Sequence, residues 1–404
     1  MDLIKIALIF AVIIVIIKLK KPLYVAMAGG VIAALIIYQV PFSTYPSILM
    51  EGIFGRTTRN MILAFYSITF LQRMLEKRGR LMLAEKSISR IFNSRRVNAM
   101  VVPFIIGMLP SVGAVLIASP IVVSAAGEYL DKDETTFATS YFRHISEAFV
   151  PTYSSIILAL SLTGISMSGF VLAMIPLVFA LFLIGYFIYI RKIPKGGEDQ
   201  DIPVDKKEEW KNVFKSMWAI VLTVMIILIF KIPVHFAVLG VIILNFFVDK
   251  FTFEEISPFF VSALEPKLIL TTIIVMMFSK VLVQTGMIER LPNYFINSPI
   301  PPSVIYAILF FFGTVLAGSQ AIIAIIMPLA FSTIPNAGLA YFTLLMSLTY
   351  IAMQISPAHV CLGVVTENAG TSFDGLVRKT MPVLISFIVL TVVYTYALSF
   401  ITGG

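Results

Sequence analysis

"GMLPSVGAVLIASP", residues 107–120, lies inside an uncharged stretch yet carries two glycines, two prolines and two serines. A plain membrane helix needs no such punctuation, and a soluble phosphate loop would not sit in a greasy segment. The length of the surrounding run decides the reading. Val97 to Gly127 holds 31 residues without a charge, whereas one span needs about 20 residues and two spans with a turn about 40. The run fits a re-entrant hairpin, two short half-helices that enter and leave by the same face. Non-helical backbone at membrane depth is tolerated only where protein buries it or where it lines a cavity. Such a hairpin therefore marks a site.

The rest of the chain is equally apolar. Of its 404 residues 59% are hydrophobic and 13% charged, against about half and a quarter in soluble domains. This is the composition of an all-α polytopic membrane protein. The first apolar run, Leu3 to Ile17, follows Asp2 rather than a basic region and has no small-residue cleavage site, so it reads as a retained span. The single cysteine, Cys361, excludes an internal disulfide and has no spacing partners for zinc or haem. The net charge of +8 reads as topogenic rather than as a nucleic-acid footprint.

Apolar runs and their breakers place spans near 2–18, 22–39, 59–77, 140–163 and 168–190, then a polar linker at 191–212. Further spans fall near 213–230, 233–249, 264–285, 338–366 and 376–400, with a second short apolar stretch at 303–333. If neither hairpin crosses, ten spans put both termini outside. The inside loops then hold three basic residues at 18–21, eight at 73–96, two at 132–143, seven at 191–215, two at 250–267 and two at 378–379. Only Lys5, Arg56, Arg59, Lys231 and Arg290 fall outside, and Lys280 lies within a span. That distribution obeys the positive-inside bias. The expected location is the cell (plasma or inner) membrane.

The chain also repeats itself. "PSVGAVLIASP" (110–120) aligns with "GSQAIIAIIMP" (318–328), matching Ser111 to Ser319 and Pro120 to Pro328 at an offset of 208. Pro151, Gly164, Ser166, Gly169, Val171 and Pro176 meet Pro357, Gly370, Ser372, Gly375, Val377 and Pro382 at 206, and Gly79 meets Gly286 at 207. The first repeat covers 1–190 with hairpin 97–127, the second 213–404 with hairpin 303–333. Five spans per repeat is an odd number, so the second repeat is inverted. Inverted repeats with discontinuous helices belong to secondary transporters, whose sites lie near the midplane between repeats.

The candidate binding residues follow from the breaks. Each hairpin tip, at Ser111 and Gly113 or at Gly318, Ser319 and Gln320, starts a new helix whose free N–H groups and partial positive charge suit an anion. Proline breaks the spans after the hairpins, at Pro151 and Pro357. Beside them Thr152, Tyr153, Ser154, Ser356 and His359 offer polar groups. His359 is the one side chain titrating near neutral pH in the 76 residues from Leu291 to Thr366, a stretch without Asp, Glu, Lys or Arg. "EYLDKDETTF" (128–137) lacks an EF-hand's spacing and reads as a solvated cytoplasmic loop. His144 and His235 lack partners at metal spacing, and no catalytic motif is present.

Two repeats of three spans, a hairpin, a proline-broken span and a last span resemble the ion transporter superfamily. That group includes gluconate, citrate and dicarboxylate permeases. Over nearly its full length the chain most resembles a prokaryotic branch known as a domain-of-unknown-function family. In relatives the tips carry Ser-Asn-Thr, which bind sodium and a substrate carboxylate. Here they read Pro110-Ser111-Val112 and Gly318-Ser319-Gln320, so only the serines carry over. The resemblance implies a homodimer, Na⁺ at the Ser111 and Ser319 tips, and an elevator in which hairpins, broken spans and last spans slide against a scaffold.

The reading is a secondary active transporter for a small organic anion, coupled to H⁺ or Na⁺, with no resident cofactor or metal and no nucleic-acid partner. The alternatives are a passive anion channel and an intramembrane enzyme acting on a lipid-linked substrate. The enzyme would need a cluster of acid, base or metal ligands at depth, where the sequence displays one histidine and no carboxylate cluster.

Overall fold

The computed structural model describes residues 2–19, 21–108, 114–196, 205–286, 290, 299–334 and 336–402, and every regular element among them is helical. The chain opens with α1 (Asp2–Lys18), α2 (Leu23–Ile37), α3 (Tyr45–Phe54), α4 (Arg56–Lys77) and α5 (Arg80–Phe92). A helix pair follows, α6 (Arg95–Gly107) and α7 (Ala114–Ala126), packed on each other. Next come α8 (Lys132–His144), a 3₁₀ turn at Ile145–Ala148, α9 (Ser154–Thr163) and α10 (Met167–Ile188). The rest of the chain shows a similar order of long and short helices, without a counterpart of α5 among the described residues. It runs α11 (Lys206–Phe230), α12 (Val234–Val248), α13 (Phe253–Ser262), α14 (Pro266–Gln284), the pair α15 (Pro302–Ala317) and α16 (Ser319–Thr333), α17 (Leu339–Met353), α18 (Val360–Ala369) and α19 (Phe373–Thr402).

Among the described residues, α10, α11, α14 and α19 are long and apolar enough to cross a membrane, and nine further apolar helices have 10–17 residues. The α2 and α12 helices, expected as full spans, have 15 residues each, about 22 Å of rise. Proline at their N-caps, Pro22 and Pro233, delays both starts.

The residues that align between the two halves do the same local work in each. Gly164 and Gly370 end α9 and α18 in the left-handed conformation, with φ of 72° and 59°, where a side chain would be strained. The Ser166 and Ser372 hydroxyls each accept the backbone N–H three residues on, from Gly169 at 3.1 Å and Gly375 at 3.0 Å. Gly79 and Gly286 both turn at positive φ.

Packing separates two sets of helices. In one, α14 lies on α2 and α3, α12 on α4, α11 on α5 and α1 on α2. In the other, α6, α7 and α8 pack together, α15 packs on α16 and α17, α18 on α7 and α8, and α19 on α8, α10 and α17. A more extensive contact of α5 with α6, and lighter ones of α4 with α9, α14 with α16 and α10 with α11, join the sets.

The acidic stretch at 128–137 is solvated only in its first half. Asp131 caps α8 in a reciprocal box with Glu134. Glu134 is buried and accepts from Lys192 at 2.7 Å and Lys379 at 3.3 Å. Burial alone would raise the Asp131 carboxyl, but the Lys379 ammonium and the Glu134 amide hold it below its ordinary value. Remote lysines, invisible as partners in sequence, bury Glu134 and the helix that follows, while Glu128, Asp131 and Lys132 stay exposed. The broken span consequently begins at Lys132 rather than near residue 140, and Arg143 moves from a loop into the helix set.

An ion pair ties the two halves together. Arg80, at the start of α5, donates through Nε to Asp249 Oδ2 at 3.1 Å and through its terminal nitrogen to Oδ1. Their side chains are 7% and 1% exposed. Arg80→Ala strands a buried carboxylate and is expected to cost about 3–5 kcal/mol, read as a lowered unfolding midpoint in detergent. The apolar pair Arg80→Met with Asp249→Leu is expected to recover most of that loss; an equal loss in both would contradict the assignment.

Candidate functional site

Two breaks and one tip meet at a single cavity of about 430 Å³, lined by Arg143, Glu147, Tyr153, Ser154, Ser319, Gln320, His359 and Cys361 among others. Each element delivers its residues for a local reason. Pro151 cannot donate to a helix ladder, so the chain leaves α8 through a 3₁₀ turn and restarts at Ser154. Pro357 does the same between α17 and α18. At the tip Gly318 adopts φ 84° and ψ 159°, a conformation essentially restricted to glycine, and α16 begins one residue later.

The broken ends leave carbonyls that a bilayer interior would not satisfy. Hydroxyls meet them. Ser146 Oγ donates to the Gly107 carbonyl at the end of α6 at 2.6 Å, and Tyr153 OH donates to the same oxygen. In the second half Ser356 Oγ donates to the Thr314 and Val315 carbonyls near the end of α15 at 3.1 and 2.9 Å. Gly107 and Thr314 stand 207 residues apart, in register with the sequence repeat.

The amide ends are treated differently. The helix starts at Ser154, Ser319 and Val360 have no side-chain cap, and all three residues line the cavity. Three N-terminal dipole ends, each equivalent to roughly half a positive charge, thus converge on one space. Gln320 Nε2 donates to Ser154 Oγ at 2.6 Å, joining the α16 tip to the break before α9.

A buried polar cluster forms the cavity's back wall. Arg143, 1% exposed, pairs with Glu147 one turn along. His144 is fully buried; its Nδ1–H donates to the Ser140 carbonyl at 2.6 Å, which leaves Nε2 as the bare nitrogen. That Nε2 lies 3.0 Å from Nε2 of His359.

Of the residues expected from sequence, Tyr153, Ser154, Gly318, Ser319, Gln320 and His359 come together here. Ser111 and Gly113 lie outside the described residues. Thr152 faces a separate small cavity with Gln72, Met108 and Thr223, although Tyr153 and Ser154 directly after it line the main one. Ser356 is fully buried and holds the α15 carbonyls instead of lining the cavity. Arg143, His144, Glu147 and Cys361 were missed. His144 has a partner after all, 215 residues away, and a cluster of ionisable groups exists among the membrane helices. The available signal was the Arg-His-x-x-Glu spacing (143–147) directly ahead of Pro151, which puts three polar groups on one side of a helix that enters an apolar segment.

Gly107 lets α6 touch the broken span: a Cβ there would collide with the Arg143 backbone carbonyl and lie 2.8 Å from Ser146 Oγ. Gly107→Ala is expected to destabilise the protein by about 1–3 kcal/mol. Gly240→Ala, on α12 with nothing within 4 Å, should leave the melting midpoint unchanged or slightly higher. Equal midpoints for the two variants would contradict the close approach.

Comparison with known proteins adds fold and family. A solved structure described as the Alcanivorax borkumensis YdaH transporter, of unusual topology, matches with a TM-score of 0.52 at 9% identity, covering 89% of this chain and 90% of that one. At that identity the likeness is one of fold. No curated protein sequence matches the chain. A family model described as "Protein of unknown function (DUF401)" matches residues 3–400.

Proposed function

This chain belongs to the DUF401 family, and on that premise we propose that it is a secondary active transporter for a small organic anion. The observation that carries the reading is the convergence of three uncapped helix starts with a buried arginine in one cavity. Arg143 and Glu147 cancel as a pair, so the helix ends leave the space electropositive. An anion of a few heavy atoms fits about 430 Å³ and would meet the free amides as well as the Ser154, Ser319 and Gln320 side chains.

The two packing sets support alternating access. Hairpins, broken helices and last helices form a carrier body, and α1–α4 with α11–α14 form the scaffold it slides against. In this reading the halves are inverted repeats of the ion transporter superfamily type, the protein is a homodimer in the cell membrane with both termini outside, and H⁺ or Na⁺ supplies the drive. The transporter fold of the structural relative agrees with it.

The buried cluster of Arg143, His144, Glu147, His359 and Cys361 favours an intramembrane enzyme as the second reading. Carriage comes first because three helix starts hold an anion without performing chemistry on it.

Purified protein in liposomes, offered a panel of small mono- and dicarboxylates under imposed H⁺ or Na⁺ gradients, is expected to take up at least one of them saturably and only with a gradient. The uncharged double variant Ser154→Ala with Ser319→Ala, which removes two hydroxyls from the cavity wall, is expected to fold and to lose that uptake by tenfold or more, about 1.4 kcal/mol or above. Uptake of none of the panel under either gradient would contradict the proposal.

A further inference from the structure

His144, His359 and Cys361 place two imidazole nitrogens and a thiol sulfur within 4.8 Å of one another, and the anion-carrier reading uses none of the three as a group. They come from the two broken spans, His144 from the end of α8 and the other two from the start of α18. The pair of histidines is not arranged at random. The Ser140 carbonyl takes the Nδ1 proton of His144 and so aims the unprotonated Nε2 at His359. A backbone carbonyl that fixes the tautomer and ring angle is the usual support behind a metal-bound histidine.

We propose that these three residues form a binding site for one zinc ion, with the fourth coordination position open to the cavity. Zinc takes imidazole nitrogen at about 2.0–2.1 Å and thiolate sulfur at about 2.3 Å in tetrahedral sites. Those lengths put ligand nitrogens about 3.3 Å apart and nitrogen and sulfur about 3.6 Å apart. The Nε2 atoms, at 3.0 Å, need to open by a few tenths of an ångström, and Sγ, within 4.8 Å of both, closes by at most about 1.2 Å to reach those lengths. The ligand set is a borderline-soft N₂S set, the kind that selects zinc over magnesium or calcium. His359 and Cys361 line the cavity, so an ion has an entry path and room for a fourth ligand.

Charge decides what that fourth ligand is. Cys361 is the second residue of α18, and a bound zinc ion deprotonates a thiol that coordinates it. On binding, Sγ releases its proton to solvent, so Zn²⁺ and the thiolate together add a single positive charge. Glu147, 3.9 Å from His144 Nε2, is already paired with Arg143. The remaining charge, together with the three helix starts, calls for an anion in the open position. The metal site stands on its own geometry, and testing it requires no transport.

The test uses the full chain in detergent, stripped with a chelator and returned to metal-free buffer. Titrated with Zn²⁺ in weak buffer, it is expected to bind one ion and release one proton per chain. Titrated with Co²⁺, it should develop the intense visible bands of tetrahedral cobalt and a sulfur-to-cobalt charge-transfer band. Cys361→Ser, nearly isosteric, should lose the charge-transfer band and the proton release, and His359→Gln should weaken zinc binding by about tenfold or more. Both variants are to elute as the parent does; if His359→Gln does not, the parent and Cys361→Ser spectra decide alone. Failure of the parent to bind zinc at micromolar concentration, absence of the charge-transfer band, or binding unchanged in Cys361→Ser would overturn the site. Such a result would leave the carrier reading standing, since carboxylate uptake is measured separately.

Discussion

A helix broken inside a membrane must account for every backbone group it frees, because no water is there to do so. In this protein the accounting is lopsided. The carbonyl ends are met by hydroxyls, Ser146 and Tyr153 on Gly107, and Ser356 on Thr314 and Val315. The amide ends at Ser154, Ser319 and Val360 have no side-chain caps and face one cavity. Satisfying one polarity with protein while leaving the other exposed to the cavity gives the interior a sign. The anion reading follows from that sign more than from any single residue.

The same constraint explains which parts of the structure were legible in the sequence. The prolines at 151 and 357 and the glycines at 164, 318 and 370 act through local backbone geometry, and local geometry is written in local sequence. Most of the expected tip and break residues meet accordingly. The misses involve partners far along the chain. Glu134 looks solvated until Lys192 and Lys379 close on it. Arg143 looks like a loop cation until α8 is seen to begin eleven residues earlier, at Lys132. His144 looks solitary because its neighbour is His359, on the other half of the chain. Thr152 and Ser356 show a third limit: a break displays its polar residues in several directions, and sequence does not say which one opens on the cavity.

The arrangement also suggests why the ionisable groups sit where they do. Arg143, His144 and Glu147 occupy one end of α8 and the turn beyond it, while His359 and Cys361 occupy the start of α18. The two broken spans therefore meet through charged and ligating side chains instead of through apolar packing alone. Such a junction couples the two broken spans to whatever fills the cavity, since filling changes the balance of charge at the junction itself.

The central claim is that this one cavity opens in turn to each side of the membrane. Its most direct test is labelling of the thiol introduced by Ser319→Cys, in a Cys361→Ser background, with a membrane-impermeant maleimide. The reagent is applied to right-side-out and to inside-out vesicles. Alternating access gives labelling from both faces, with the ratio between faces shifting when an ion gradient is imposed. Labelling from one face only, whatever the gradient, would contradict the account.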